Sequence, residues 1–312
     1  MPEPIEVAVT AWSAGDGWRA DTLCRQAEKA EAMGFHSFWL PENHFGDHRS
    51  IPSPLTLLAA VAARTERIRL GSTSYLLPIR NPLLAAEEVA VLDQLSNGRV
   101  ILGVGRGIQD AVFRAFKVPT SDKRKLFQAN LEIMRRAWRG EPILESEEGE
   151  PVYLAPLPLQ QPSPPLWVAA FGPLALQQVA RLGLPYLASP IESLATLEQN
   201  YQAYHRAVSE AALAPVDTIP VMRTVFITDN SSLAAEVRTA LQSSVPPAMQ
   251  HKAAGVDDWA IVGDHSYALD KLGEYRERLG LTHLIARGGI SGVAGEVQLH
   301  SHDALLNVMA SL

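Results

Sequence analysis

Four times along the chain an amphipathic segment ends in glycine and a short apolar run follows: Gly34 before FHSFWL, Gly98 before RVILGVG, Gly183 before LPYLAS and Gly280 before LTHLIAR. Glycine just past a helix end takes the left-handed conformation that other residues resist, so each marks a helix giving way to a strand. The strands are apolar at consecutive positions, as in RVILGV and LWVAAF, the pattern of a parallel sheet covered on both faces. Strand candidates fall at 5–12, 36–41, 68–75, 99–105, 165–172, 185–189, 219–227 and 282–289, with helical patterns between them. Ser53-Pro54 and Asn81-Pro82 set a capping side chain before a first-turn proline. Eight alternating units predict an α/β fold, a (β/α)8 TIM barrel, which a chain of 312 residues builds as the single domain 1–312.

Two irregular stretches interrupt this rhythm. Residues 141–165 are rich in Pro and Glu, and 243–265 contain Pro246-Pro247. In a barrel whose active site lies at the strand C-termini, such insertions are expected on that C-terminal face as lids. A formal charge of -7 offers no cationic surface for nucleic acid or anionic lipid. The acidic start MPEPIEV and the short apolar runs give neither a secretion signal nor a membrane span, so a cytoplasmic protein is expected. Cys24 cannot form an internal disulfide and reads as a small filler of a helix face.

The last residues of barrel strands point at the catalytic mouth, which gathers Trp12, Glu42, Asn43, His44, Thr73, Ser74, Arg106, Phe171, Ser189 and Arg287 around one cavity. The stretch FWLPENHFG (38–46) then raises three readings: a metal site, an acid/base pair, or a polar rim holding a cofactor. Metal is disfavoured because Glu42 and His44, with Asp47 and His48 nearby, lack a matching cluster elsewhere. In LGVGRG (102–107) the third glycine of a dinucleotide fingerprint is replaced by Ile108. Glycines there instead let a flat ring or phosphate approach the backbone, with Arg106 a fixed cation and Arg124 a second one near a helix start.

The segments ENHF (42–45), IRLGSTSYLLPIRNPLLAAEEVAVLDQLSNGRVILGVGRG (68–107) and FRAFKVPTSDKR (113–124) resemble the bacterial luciferase-like flavin monooxygenases, which are (β/α)8 barrels. The resemblance runs from about Gly34 to Met134, with weaker features at 164–172 and 263–287. It implies a monooxygenase that uses reduced FMN, delivered by a separate flavin reductase, and O2 on a small organic, apolar substrate. It implies FMN contacts at Glu42, Thr73, Ser74, Gly103, Gly105, Arg106, Gly107, Arg124, Ala170, Phe171 and Gly172, with a non-proline cis peptide or bulge at Thr73-Ser74. His44 and Asn43 take the catalytic positions, and no metal is implied. Some relatives use the deazaflavin coenzyme F420 for hydride transfer instead, and a catalytically silent flavin-binding subunit is a third reading. Asn43 stands where luciferase has a histidine, Gly105 where it has a reactive cysteine, and AFGPL (170–174) lacks its phosphate-binding hydroxyls. The family also pairs through early helices, for which Leu55, Leu58, Ala59 and Ala62 offer an apolar stripe; a homodimer is expected.

Overall fold

The computed structural model describes residues 4–13, 19–46, 48–245 and 255–312. Two compact units divide the chain: residues 1–15, 32–39 and 170–312 form the first, and residues 16–31 and 40–169 the second.

In the first unit the strands are β1 (Glu6–Thr10), β2 (Ser37–Leu40, whose last residue falls in the second unit), β9 (Tyr186–Leu187), β10 (Pro220–Ile227), β11 (Ala260–Gly263) and β12 (His283–Arg287). Five of them pair in the parallel order β11-β10-β12-β1-β2. All eight residues of β10 are buried, as the run PVMRTVFI requires of a strand covered on both faces. The helices are α6 (Pro173–Leu182), α7 (Leu194–Glu210), α8 (Ser231–Ser244), α9 (Val256–Trp259), α10 (His265–Leu279) and α11 (Gly295–Ala310).

The second unit holds β3 (Arg69–Ser72), β4 (Tyr75–Leu76), β5 (Val100–Gly105), the antiparallel pair β6 (Leu144–Glu145) and β7 (Pro151–Val152), and β8 (Leu166–Ala169). β5 pairs in parallel with β3, β4 and β8. Its helices are α1 (Ala20–Met33, running over the division), α2 (Pro54–Ala62), α3 (Pro82–Leu95), α4 (Asp110–Ala115) and α5 (Lys123–Trp138).

The glycine junctions form as expected, with φ of +92° at Gly34, +75° at Gly98, +62° at Gly183 and +69° at Gly280. Asn81 caps α3 by accepting from the amides of Leu83 and Leu84. Ser53 does not cap α2; its hydroxyl bonds Thr56 Oγ1 instead. Cys24 is buried, a filler as expected. The stripe expected to join two copies is spent internally, since Leu55, Leu58 and Ala62 are all buried. Among the described residues no helix is long and apolar enough to cross a membrane.

The two irregular stretches require correction. Residues 141–165 were expected over the C-terminal ends of the strands, yet Gln160 sits at their beginnings. Its Nε2 donates to Val100 O (2.9 Å) and Asp93 Oδ1 (2.7 Å), and its Oε1 accepts from Arg69 Nη2 (2.9 Å). Val100 and Arg69 are the first residues of β5 and β3. The reason is connectivity: the segment leads from the end of α5 to the start of β8 and so belongs to the helix-to-strand side. The stretch 243–265 contains β11, four apolar residues that pair with β10 and were missed; residues 246–254 lie outside the described residues.

One buried group in the first unit carries a pH dependence. His302 of α11 is 2% exposed, neither ring nitrogen has a hydrogen-bond partner among the described residues, and its ring meets Trp12 edge-on at 5.3 Å and Phe35 at 6.1 Å. Burial lowers its pKa from 6.5 to about 4. The unfolded chain therefore binds a proton at this residue between pH 6.5 and 4 that the folded chain refuses. The stabilising share is complete above pH 6.5 and is lost as pH falls towards 4, with a size on the order of 3 kcal/mol. Urea melts at pH 7.5 and 4.5 should show the acid-induced loss reduced by about 2 kcal/mol in His302→Leu; an unchanged loss refutes the assignment.

Candidate active site

The second unit assembles the polar group foreseen at the end of β2. Glu42 is fully enclosed, at 0% side-chain exposure. Its Oε1 accepts from His44 Nε2 at 2.7 Å and Arg80 Nη1 at 2.8 Å, and its Oε2 accepts from the Leu76 amide at 3.0 Å. With its side chain enclosed and three protein donors on its oxygens, Glu42 braces His44 and Arg80. Arg80 was missed by sequence reasoning. It also lies over the Tyr75 ring, 3.7 Å from the centroid, and donates to Leu76 O. Its place in PIRNP, just before a helix, carries no sign of a partner 38 residues away.

Asn43 has a local task. Its Oδ1 accepts from the Ile51 amide at 2.5 Å while its own amide donates to Ile51 O at 3.0 Å. The pair closes the loop after β2, and Gly46 N donating to Ser50 Oγ at 3.0 Å tightens it. Asn43 thus pins this loop, its side-chain carbonyl committed to the Ile51 amide. His44 is itself 9% exposed and its ring is flanked by Phe45 at 5.6 Å and Phe116 at 5.2 Å. Phe45, at φ +55°, is 66% exposed.

Beyond β3 the Thr73-Ser74 peptide is cis, as expected, and Thr73 N donates to Leu40 O at 2.8 Å. A Cβ on Gly105 would lie 2.1 Å from Ser74 Oγ and 2.9 Å from Ser74 Cβ, so the residue opposite that peptide must be glycine. Gly103 O accepts from Ser72 Oγ at 2.9 Å. Gly107 takes φ +74° and packs against the Phe113 ring. The structure thus brings Ser74 and Gly105 into contact at the ends of β3 and β5.

Arg106 follows Gly105 and is half-buried. Burial and the neighbouring Arg124 charge both lower its pKa, and it makes no ion pair among the described residues. Arg124 lies in the first turn of α5 and is exposed. Two guanidinium groups that repel one another beside a helix N-terminus are suited to an anion. Among the described residues no three His, Cys, Asp or Glu side chains gather as metal ligands; Asp47 lies outside them.

In the first unit Ala170, Phe171 and Gly172 follow β8, and Gly172 O starts α6 by accepting from Ala175 and Leu176 amides. Trp12 and Trp39 are buried packing groups, Trp39 with its Nε1 on Ser37 Oγ at 2.8 Å. Ser189 belongs to a closed network. Its carbonyl and those of Met222 and Glu192 accept from fully buried Arg223, which also donates to Tyr275 Oη at 2.7 Å. Burial raises the Glu192 pKa beside it.

A profile of the luciferase-like monooxygenase family matches residues 7–255. The oxygenase component of a flavin-dependent trigonelline monooxygenase from Acinetobacter baylyi is 30% identical over 176 residues, 55% of this chain and 49% of that protein. This chain spans about half the length of the curated relatives it matches. The oxygenating constituent of 3,6-diketocamphane monooxygenase from Pseudomonas putida, solved with FMN, superposes with a TM-score of 0.82 at 19% identity over 98% of both chains. The coenzyme F420-dependent tetrahydromethanopterin reductase of Methanopyrus kandleri gives 0.75 at 17% identity, covering 98% of this chain and 99% of that one. At such identities these two likenesses speak for fold alone, and they bear out the α/β TIM-barrel class expected from the sequence.

Proposed function

The chain belongs to the luciferase-like monooxygenase family, and from that premise we propose that it is the oxygenase of a flavin-dependent monooxygenase pair, receiving reduced FMN from a separate flavin reductase and using O2 on a small organic substrate. The observation that carries this reading is the placement of half-buried Arg106 directly after Gly105 at the end of β5, with Arg124 in the first turn of α5; burial, and then the Arg124 charge, lower the Arg106 pKa. A phosphate held by both cations relieves their repulsion and restores part of the solvation Arg106 loses on burial. Gly105 and Gly107 leave backbone open to a flat ring. Bound reduced flavin supplies the activation of O2. The chain's own residues bind its phosphate, exclude water and manage protons. Glu42 fixes His44 through Nε2, so Nδ1 is the atom that holds or gives up a proton.

Equilibrium titration with reduced FMN and with coenzyme F420 tests this reading. Reduced FMN is expected to bind in the submicromolar range, and Arg106→Ala should weaken it by about 2 kcal/mol, roughly 30-fold. Binding of the deazaflavin alone assigns the chain to hydride transfer, binding of neither removes the flavin reading, and wild-type affinity in Arg106→Ala removes the phosphate assignment.

A further inference from the structure

Arg80 is held from several sides within the second unit. Its Nη1 donates to Glu42 Oε1 and to Leu76 O, each at 2.8 Å, and its guanidinium carbon lies 3.7 Å from the centroid of the Tyr75 ring. That ring is fixed in turn, because Tyr75 Oη donates to Glu88 Oε2 of α3 at 2.7 Å. Asn130 Nδ2 of α5 holds the backbone behind it, donating to Leu77 O at 2.9 Å and to Arg80 O at 3.1 Å.

The oxygen that Arg80 reaches is the one that His44 Nε2 also reaches, at 2.7 Å. One carboxylate thus faces two groups able to carry positive charge, with side-chain exposures of 18% for Arg80, 7% for His44 and 0% for Glu42. Charge counting shows what the third member adds. A carboxylate alone with an imidazole forms a neutral pair only when the imidazole holds a second proton, so it draws that proton in. Arg80, charged at every accessible pH, neutralises Glu42 first, and a protonated imidazole then leaves one positive charge in excess. Enclosure magnifies that cost because screening solvent is largely excluded. An imidazole with its single proton on Nε2, donated to Glu42, satisfies all three groups and leaves the Nδ1 lone pair open. Nothing else packed on the ring offsets Arg80: Phe45 and Phe116 bring no charge, while Asp110, Arg114 and Lys117 around α4 and His48 and Arg49 in the loop after β2 are exposed, where salt and water screen them. Arg106 and Arg124 have the same sign as Arg80.

We infer that Arg80 is a positioning residue for proton transfer: by claiming the charge of Glu42 it sets His44 to take up a proton at Nδ1 and not to deliver one. It acts through Glu42 alone. In the proposed reaction His44 is then a base; its Nδ1–H bond forms as a bond to hydrogen in the substrate breaks, and the electron pair of that bond stays on the substrate. That the proton comes from a substrate rests on the monooxygenase reading; that Arg80 governs the charge of His44 does not.

Two-dimensional proton–nitrogen spectra of the histidine rings in the full chain test this without turnover, with the His44 signals assigned by their loss in His44→Gln. In the wild type at pH 7.5, Nδ1 of His44 is expected at the nitrogen shift of an unprotonated atom and Nε2 at that of a protonated one. Arg80→Gln should raise the proton affinity of His44 roughly tenfold, moving its titration midpoint up by about one pH unit. Arg80→Lys, which restores the charge, should return the midpoint to within about half a unit of wild type. Arg80→Met keeps an apolar stem over the Tyr75 ring and serves, with the same expected rise, if the glutamine variant does not fold. An unmoved midpoint in the uncharged variants, a lysine variant that shifts as far as they do, or a wild type protonated at Nδ1 at pH 7.5 each overturns the inference. If the expected shifts occur in a chain that binds no reduced FMN, the role of Arg80 stands and the flavin reading falls.

Discussion

Replacing Glu42 with alanine should cost about 3–5 kcal/mol of folding stability, the range found when one partner of a buried ion pair is removed. The cause lies in what remains. Arg80, at 18% side-chain exposure, and His44, at 7%, lose the oxygen they share, and the Leu76 amide loses its acceptor. Arg80 keeps Leu76 O and the Tyr75 ring, which favours the lower end of the range. Glu42→Gln keeps the shape but brings an NH2 group to one of the two oxygen positions, both of which face donors, so its loss should be intermediate. Turnover should fall in both variants because His44 is no longer oriented, while FMN affinity, assigned to Arg106 and Arg124, changes little. Denaturant titrations that place Glu42→Ala within 1 kcal/mol of wild type would show that the network is incidental.

The parts of this fold legible in the sequence are those fixed by local chemistry. Gly34, Gly98, Gly183 and Gly280 needed only the left-handed conformation to announce themselves, and the consecutive apolar runs announced strands covered on both faces. Asn81 carried its cap in the Leu83 and Leu84 amides just past Pro82, whereas Ser53, with the same following proline, bonded a neighbouring hydroxyl instead. What escaped was set by distance along the chain. β11 is four residues long and pairs with a strand more than thirty residues earlier, so its signal is partner choice and not periodicity. The position of residues 141–165 was readable from connectivity alone, since a helix-to-strand link must end where a strand begins. Arg80 and Arg223 were invisible for one reason: an arginine just before a helix or inside an apolar strand shows its charge but not the carboxylate, carbonyls or ring that receive it.

Gly288 tests the same closeness of approach in the first unit, where β12 ends beside Trp12. A Cβ there would stand 2.6 Å from Trp12 Cβ, 2.7 Å from Trp12 Cα and 3.1 Å from Ala11 O. Two of those three atoms are backbone, so no rotamer change relieves the clash and the end of β12 must move from β1. That movement also breaks the bond from Gly288 N to Thr10 Oγ1, now 2.9 Å. Gly288→Ala should therefore cost about 3 kcal/mol, the upper end for overpacking. Gly289 supplies the internal control. It takes φ +74°, but a Cβ there meets nothing closer than Ala11 O at 3.9 Å, so Gly289→Ala carries only the conformational cost, about 1 kcal/mol. The order of the two variants in urea is the decisive quantity: if Gly289→Ala proves the more damaging, crowding against Trp12 is not what demands glycine at the end of β12.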